Sequence, residues 1–210
     1  MSESKDSYPA SLNIDYPDKA DKLTTFFRII MMIPICIILM FLYGPDMEDN
    51  CQESDEWMVY GVGIVFIPTI LMILFRQKYP RWWFDWNLAL TKFCTRVFSY
   101  MLLLSHEYPS TDEEQHVHLE IPYPDAKVDI HRGMPLVKWF LSIPHYVVLI
   151  FLYFAVCITT ILVWFAIIFT GKNPKGMFDF AVGVMRWSLR VNAYAILLTT
   201  DKYPPFRLSE

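Results

Sequence analysis

The sequence predicts an all-α integral membrane protein built as a tandem repeat. Each copy holds a short strand, two membrane helices and an amphipathic interfacial helix, with a small extramembrane β-sheet joining the copies. Three observations carry this. Residues 74–104 superimpose without a gap on residues 168–198, a shift of 94, and ten positions are identical, including Lys78/Lys172, Pro80/Pro174, Asp85/Asp179, Arg96/Arg190 and Tyr100/Tyr194. Shared charges and prolines rule out common greasiness as the cause, so the match reads as a duplication with copies at 1–110 and 111–210. Composition is the second observation: 54% hydrophobic and 17% aromatic residues with a mean hydropathy of +0.29 exceed the roughly 45 to 50% apolar content of an average soluble domain. The third is that each copy ends in an apolar helix bearing one narrow stripe of charge.

Each copy opens on an alternating stretch, SLNIDYP from Ser11 and HLEIPYP from His118, whose period of two ended by proline predicts a strand. A further strand is expected over residues 206–208, after the Tyr203-Pro204 that echoes Tyr108-Pro109. In the first copy, residues 23–41 and 57–75 are apolar runs of about 28 Å as helices, close to the roughly 30 Å hydrocarbon core. Between them, residues 44–56 hold six acids and no base, which predicts a solvent loop. In the second copy the shift falls from 110 at Pro34/Pro144 to 94, and residues 139–169 form one apolar run. By analogy with the first copy, a tight hairpin of two short helices is expected there, turning near residues 157–160.

The stripe follows from helical geometry. At about 100° per residue, Asp85, Lys92 and Arg96 fall within about 20° of one line, and Asp179, Arg186 and Arg190 repeat it. Such a helix either lies in the interface with its charges toward water or crosses with them toward a bundle interior. Charge counting favours the first: with two crossings per copy and the striped helices flat, all 18 Lys and Arg fall on one side and the acidic loop on the other. The expectation is a multi-pass protein of the cell membrane with both termini cytoplasmic. Residues 1–24 are polar and lack the apolar core of a signal peptide.

Several stretches then resemble a known family. FLSIPH from Phe140, FTGKNPKGMFDF from Phe169, RWSLRVNAY from Arg186 and YPPF from Tyr203 are similar to small prokaryotic membrane proteins catalogued as a domain of unknown function, number four-three-eight-nine. The second copy follows the pattern closely and the first loosely: Arg76-Gln77 stands where Thr170-Gly171 does, Trp82 replaces Gly176 and Ile35 replaces His145. The resemblance implies a prokaryotic membrane location and supplies no activity, catalytic residue or ligand.

The net charge of −4 and the absence of a basic run argue against a nucleic-acid partner. Cys36, Cys51, Cys94 and Cys157 show no C-x-x-C spacing, which supports neither disulfides nor zinc. No nucleophile-base motif or phosphate-binding glycine loop is present, so no enzyme, cofactor or metal is expected. His116-x-His118 with Glu114 and Glu120 shares a strand face, a weak zinc set, and His145 is expected to be packed or interfacial.

The six stripe residues are the candidate site, with three readings: contact with anionic headgroups at roughly 1 kcal/mol per cation, Asp-Arg pairing between copies, or a substrate path. Headgroup contact leads. The leading function is a non-enzymatic scaffold, accessory subunit or membrane organiser with lipids and a protein partner or second copy as its contacts. The alternative is a small inverted-repeat transporter or channel lined by the stripe.

Overall fold

The computed structural model describes residues 8–17, 22–43, 57–111, 113, 115–126 and 130–209; the acidic loop 44–56 lies outside them. The described elements are strand β1 (Ser11–Ile14), helices α1 (Lys22–Tyr43), α2 (Trp57–Arg76) and α3 (Arg81–Met101), strand β2 (Val117–Glu120), and helices α4 (Met134–Thr170) and α5 (Lys175–Ala195). The fold is mostly helical, with one antiparallel two-stranded sheet. Residues 206–208 are an irregular tail lying over α5 rather than the expected strand.

The expected hairpin within residues 139–169 is absent. Residues 134–170 form one helix of 37 residues, about 55 Å at 1.5 Å per residue. Nothing between Pro144 and Gly171 ends it: no Gly or Pro interrupts the run, and the Thr159 and Thr160 hydroxyls donate to the Val156 carbonyl inside the helix. It stops at Gly171, whose φ of 72° gives the left-handed cap that glycine adopts at little cost. Gln77 ends α2 at the equivalent position with φ 45°. Among the described residues, α4 is the one helix long and apolar enough to cross a membrane.

Helix α4 alone lies along α5, whereas two helices share the length of α3. Along α5, α4 runs antiparallel: Lys138 reaches Thr200 just beyond the helix, His145 meets Trp187, and Thr160 and Val163 share a wall with Phe178 and Ala181. Along α3, the same work is divided. Arg28 and Ile35 of α1 meet Tyr100, Phe93 and Val97, whereas Thr69 of α2 accepts from Trp83 at 2.9 Å. Arg28 aligns with Lys138 and Ile35 with His145, so α1 and α2 together cover α3 as α4 alone covers α5.

Other contacts come in matched pairs that exchange the halves. Leu12 of β1 pairs with Leu119 of β2, and these two residues are themselves equivalent under the strand shift of 107. Tyr16 donates to the Asn173 carbonyl and packs edge-on against Phe178 at 5.1 Å; Tyr123 donates to the Tyr79 carbonyl and packs edge-on against Phe84 at 5.3 Å. The strand of each half thereby docks on the helix of the other, β1 on α5 and β2 on α3. The core lies where these layers meet. Helix α5 is buried along most of its length between α4 and the sheet.

Candidate functional site

The stripe does not behave as a single exposed face. Arg190 is 2% exposed, and its guanidinium donates to the carbonyls of Arg207 at 3.2 Å and Ser209 at 2.6 Å. Arg96, 8% exposed, donates to the Ser110 carbonyl at 2.9 Å. Each therefore pins the segment that follows its own helix. Arg186 donates from Nε to the Leu12 carbonyl of β1 at 2.9 Å, while Lys92 is half-buried. Asp85 and Asp179 are exposed and enter no ion pair with described residues. Charged hydrogen bonds to carbonyls are the stronger kind, and a buried guanidinium without them would be costly. Arg96, Arg186 and Arg190 thus hold strand and tail against α3 and α5 through hydrogen bonds within the protein.

Asp179 and Arg186 also edge a groove of about 320 Å³ between β1, α5 and the tail, with Asn13 and Ser209 on its wall. The tail crosses α5 at Gly183, where an added Cβ would lie 2.9 Å from the Leu208 Cβ and 3.2 Å from its carbonyl oxygen. Close approach, rather than backbone conformation, requires glycine there.

A second paired arrangement is absent from the sequence-based candidates. Lys138 is fully buried; its ammonium sits 2.8 Å from the Thr200 carbonyl, 2.7 Å from Asp201 Oδ1 and 5.2 Å from the Tyr194 ring centre. Arg28, 3% exposed, stands at the equivalent place, 2.7 Å from the Ser105 carbonyl, 3.3 Å from His106 Nδ1 and 4.2 Å from the Tyr100 ring centre. Both are cations near the start of a long apolar helix, clasping the turn after the striped helix and sitting over its last tyrosine. Burial raises the Asp201 carboxyl, but hydrogen bonds from Lys138 and His131 outweigh it and hold the group below the usual aspartate range. The signal was available: Arg28 and Lys138 are basic residues within otherwise apolar helical runs, 110 positions apart.

His145 is fully buried, accepts at Nδ1 from the Trp187 indole at 3.1 Å and stacks on Phe206 at 3.9 Å. It is a packed histidine. On the sheet's outer face, His118 and His116 approach Asp15 at 3.2 and 3.4 Å, and His116 approaches Glu107 at 3.2 Å. Hydrogen bonds from His118, then His116, hold the Asp15 carboxyl below its ordinary range. Glu120 lies on that face without joining the contacts, and Glu114 lies outside the described residues. Among the described residues, no group of three or more His, Cys, Asp or Glu side chains is arranged to hold a metal.

No curated protein and no solved structure matches the chain. Residues 134–207, just over a third of the chain, match the family described as Domain of unknown function (DUF4389). The matched segment contains α4, α5, the Lys138 clasp, His145 and the tail held by Arg190, so it is this part of the second half that is similar to the DUF4389 family.

Proposed function

We propose that the chain is a non-enzymatic membrane scaffold or accessory subunit, built from two fused copies of one module related by a pseudo-two-fold axis through the Leu12/Leu119 pair. The observation that carries this reading is the use of the cations. Arg28, Arg96, Lys138, Arg186 and Arg190 all donate to backbone carbonyls within the protein, so these five basic residues hold strands, turns and tail in place. What the molecule offers outward is apolar: bulky residues from Leu136 to Phe169 of α4 and from Leu23 to Ile37 of α1 are exposed. A charged interior with an apolar exterior suits a protein whose solvent is lipid, and exposed apolar surface of this extent marks a contact with membrane or protein.

The matched contacts support the fused pair. An antiparallel pair centred on equivalent residues is the self-complementary arrangement of a two-fold interface. Asp85 and Asp179, exposed and at corresponding positions, are among the charges available to a partner.

Reconstituted into liposomes, the purified protein is expected to move no solute across the bilayer. Flux of a defined solute, abolished by Asp179→Asn in a variant of unchanged thermal stability, would overturn the scaffold reading in favour of a transport path along the stripe.

A further inference from the structure

We infer that α4 lies along the membrane in a single leaflet instead of crossing it, and that the partner of its exposed face is the acyl layer of that leaflet. This rests on the membrane reading above. Three observations fix the direction of the helix. The first is the layer order. Helix α5 packs against α4 on one side and against β1 on the other, and Arg186, near the middle of α5, holds Leu12 in the middle of β1. Tyr153, at the middle of α4, donates to Ser188, two residues along α5 from Arg186. The sheet is therefore level with the midpoint of α4. If α4 stood upright, the sheet would sit at mid-bilayer depth, with its two open edges and the half-exposed Asp15, His116 and His118 facing hydrocarbon. An open sheet edge does not occur in lipid, and charged groups there are expensive.

The second observation is length. Phe140, Val147, Phe151, Phe154, Phe165 and Phe169 are exposed and fall within about 40° of one line at about 100° per residue. The buried positions Lys138, Ser142, His145, Leu149, Val156, Val163 and Ile167 follow the opposite line. The outward ridge runs about 44 Å. Fitting it into a hydrocarbon core of about 30 Å would need a tilt of about 47°, beyond the roughly 0–40° that crossing helices show.

Charge is the third. Beyond Lys138, α4 carries no Asp, Glu, Lys or Arg, so no polar segment marks where a crossing helix would leave the bilayer. Laid flat, the ridge meets acyl chains along its whole length, α5 lies above it, and the sheet with its histidines and acids faces water. All three placements satisfy their solvents at once.

Oriented circular dichroism of the unmodified protein in aligned phosphatidylcholine/phosphatidylglycerol bilayers tests this directly. The amide exciton band polarised along the helix axis should persist with light along the bilayer normal, because α4 and α5 lie across the beam; loss of the band would overturn the inference. Nitroxides placed one at a time at Phe140, Phe154 and Phe169 in a cysteine-free background give a second measure. Equal depths at the three sites are expected, whereas a deep Phe154 between two shallow ends would overturn it. Alkaline carbonate separates this from the parent reading: protein that stays in the membrane but stands upright sinks the in-plane inference alone. A carbonate-soluble dimer with the ridge covered would assign the ridge to a second copy and sink both.

Discussion

At the scale of single residues, stability depends on cations that have left water. Lys138 is the clearest case, since among the described residues its one carboxylate partner is Asp201, 2.7 Å away, and that carboxyl is 16% exposed. Asp201→Asn leaves a buried ammonium without its carboxylate, held by the Thr200 carbonyl and the Tyr194 ring, and breaking such a pair costs about 3 kcal/mol. The sign of the pH dependence follows from the depressed carboxyl. Its folded value lies below the unfolded one, so the stabilisation is complete above about pH 4 and is lost as pH falls through the folded value. Thermal unfolding in detergent across acidic pH should show this loss in the wild type and a flatter profile in Asp201→Asn. Gly183 and Arg190 act together on the tail. Gly183→Ala puts a methyl group into Leu208, an overpacking cost of about 1–3 kcal/mol, and Arg190→Ala removes two charged hydrogen bonds to the tail carbonyls. Both variants should expose residues 203–209 to limited proteolysis, while Asp85→Asn, at an exposed site, should not.

At the scale of elements, the pairing of β1 with β2 ties the halves together. Leu12 and Leu119 are 1% and 3% exposed and face each other across the ladder. Leu12→Ala or Leu119→Ala is expected to cost about 2–4 kcal/mol, and the double variant less than the sum, because the two side chains share one site. Denaturant melts of the three variants measure this. Much of this level was legible in the sequence. The alternating stretches from Ser11 and His118 mark the strands, although β1 ends at Ile14 and β2 runs Val117–Glu120, short of the prolines expected to close them, and Pro80 and Pro174 mark the starts of α3 and α5, which begin one residue later. The continuity of α4 was not legible by analogy. Apolar β-branched and aromatic runs carry no signal that separates one long helix from two short ones, and only the absence of a breaker at residues 157–160 spoke for the longer form.

The stripe shows a different limit. Its periodicity lines up Asp179, Arg186 and Arg190 along a helix, but period alone cannot say what each of them meets. Here the partners are carbonyls of β1 and of the tail, supplied by segments 174 and 17 residues away in the chain. Arg28 and Lys138 stand out in the sequence, but their role does not, for a related reason. A single cation in an apolar helix reads as snorkelling until the turn that receives it is in view.

At the scale of the whole molecule, the matched contacts, the inward cations and the outward apolar ridge amount, under the proposed membrane reading, to a lipid-facing layer, a helical middle and a polar sheet. In that arrangement both ends of α4 lie on one side of the membrane, and the acidic sheet face is the surface left for water-soluble partners. The most direct measurement is side-specific labelling of single cysteines at Arg132 and Lys172, which flank α4, in sealed vesicles of known orientation. An impermeant maleimide should reach both sites from the same side. Labelling from opposite sides would contradict the account, because it would require α4 to cross and would carry the sheet into the bilayer with it.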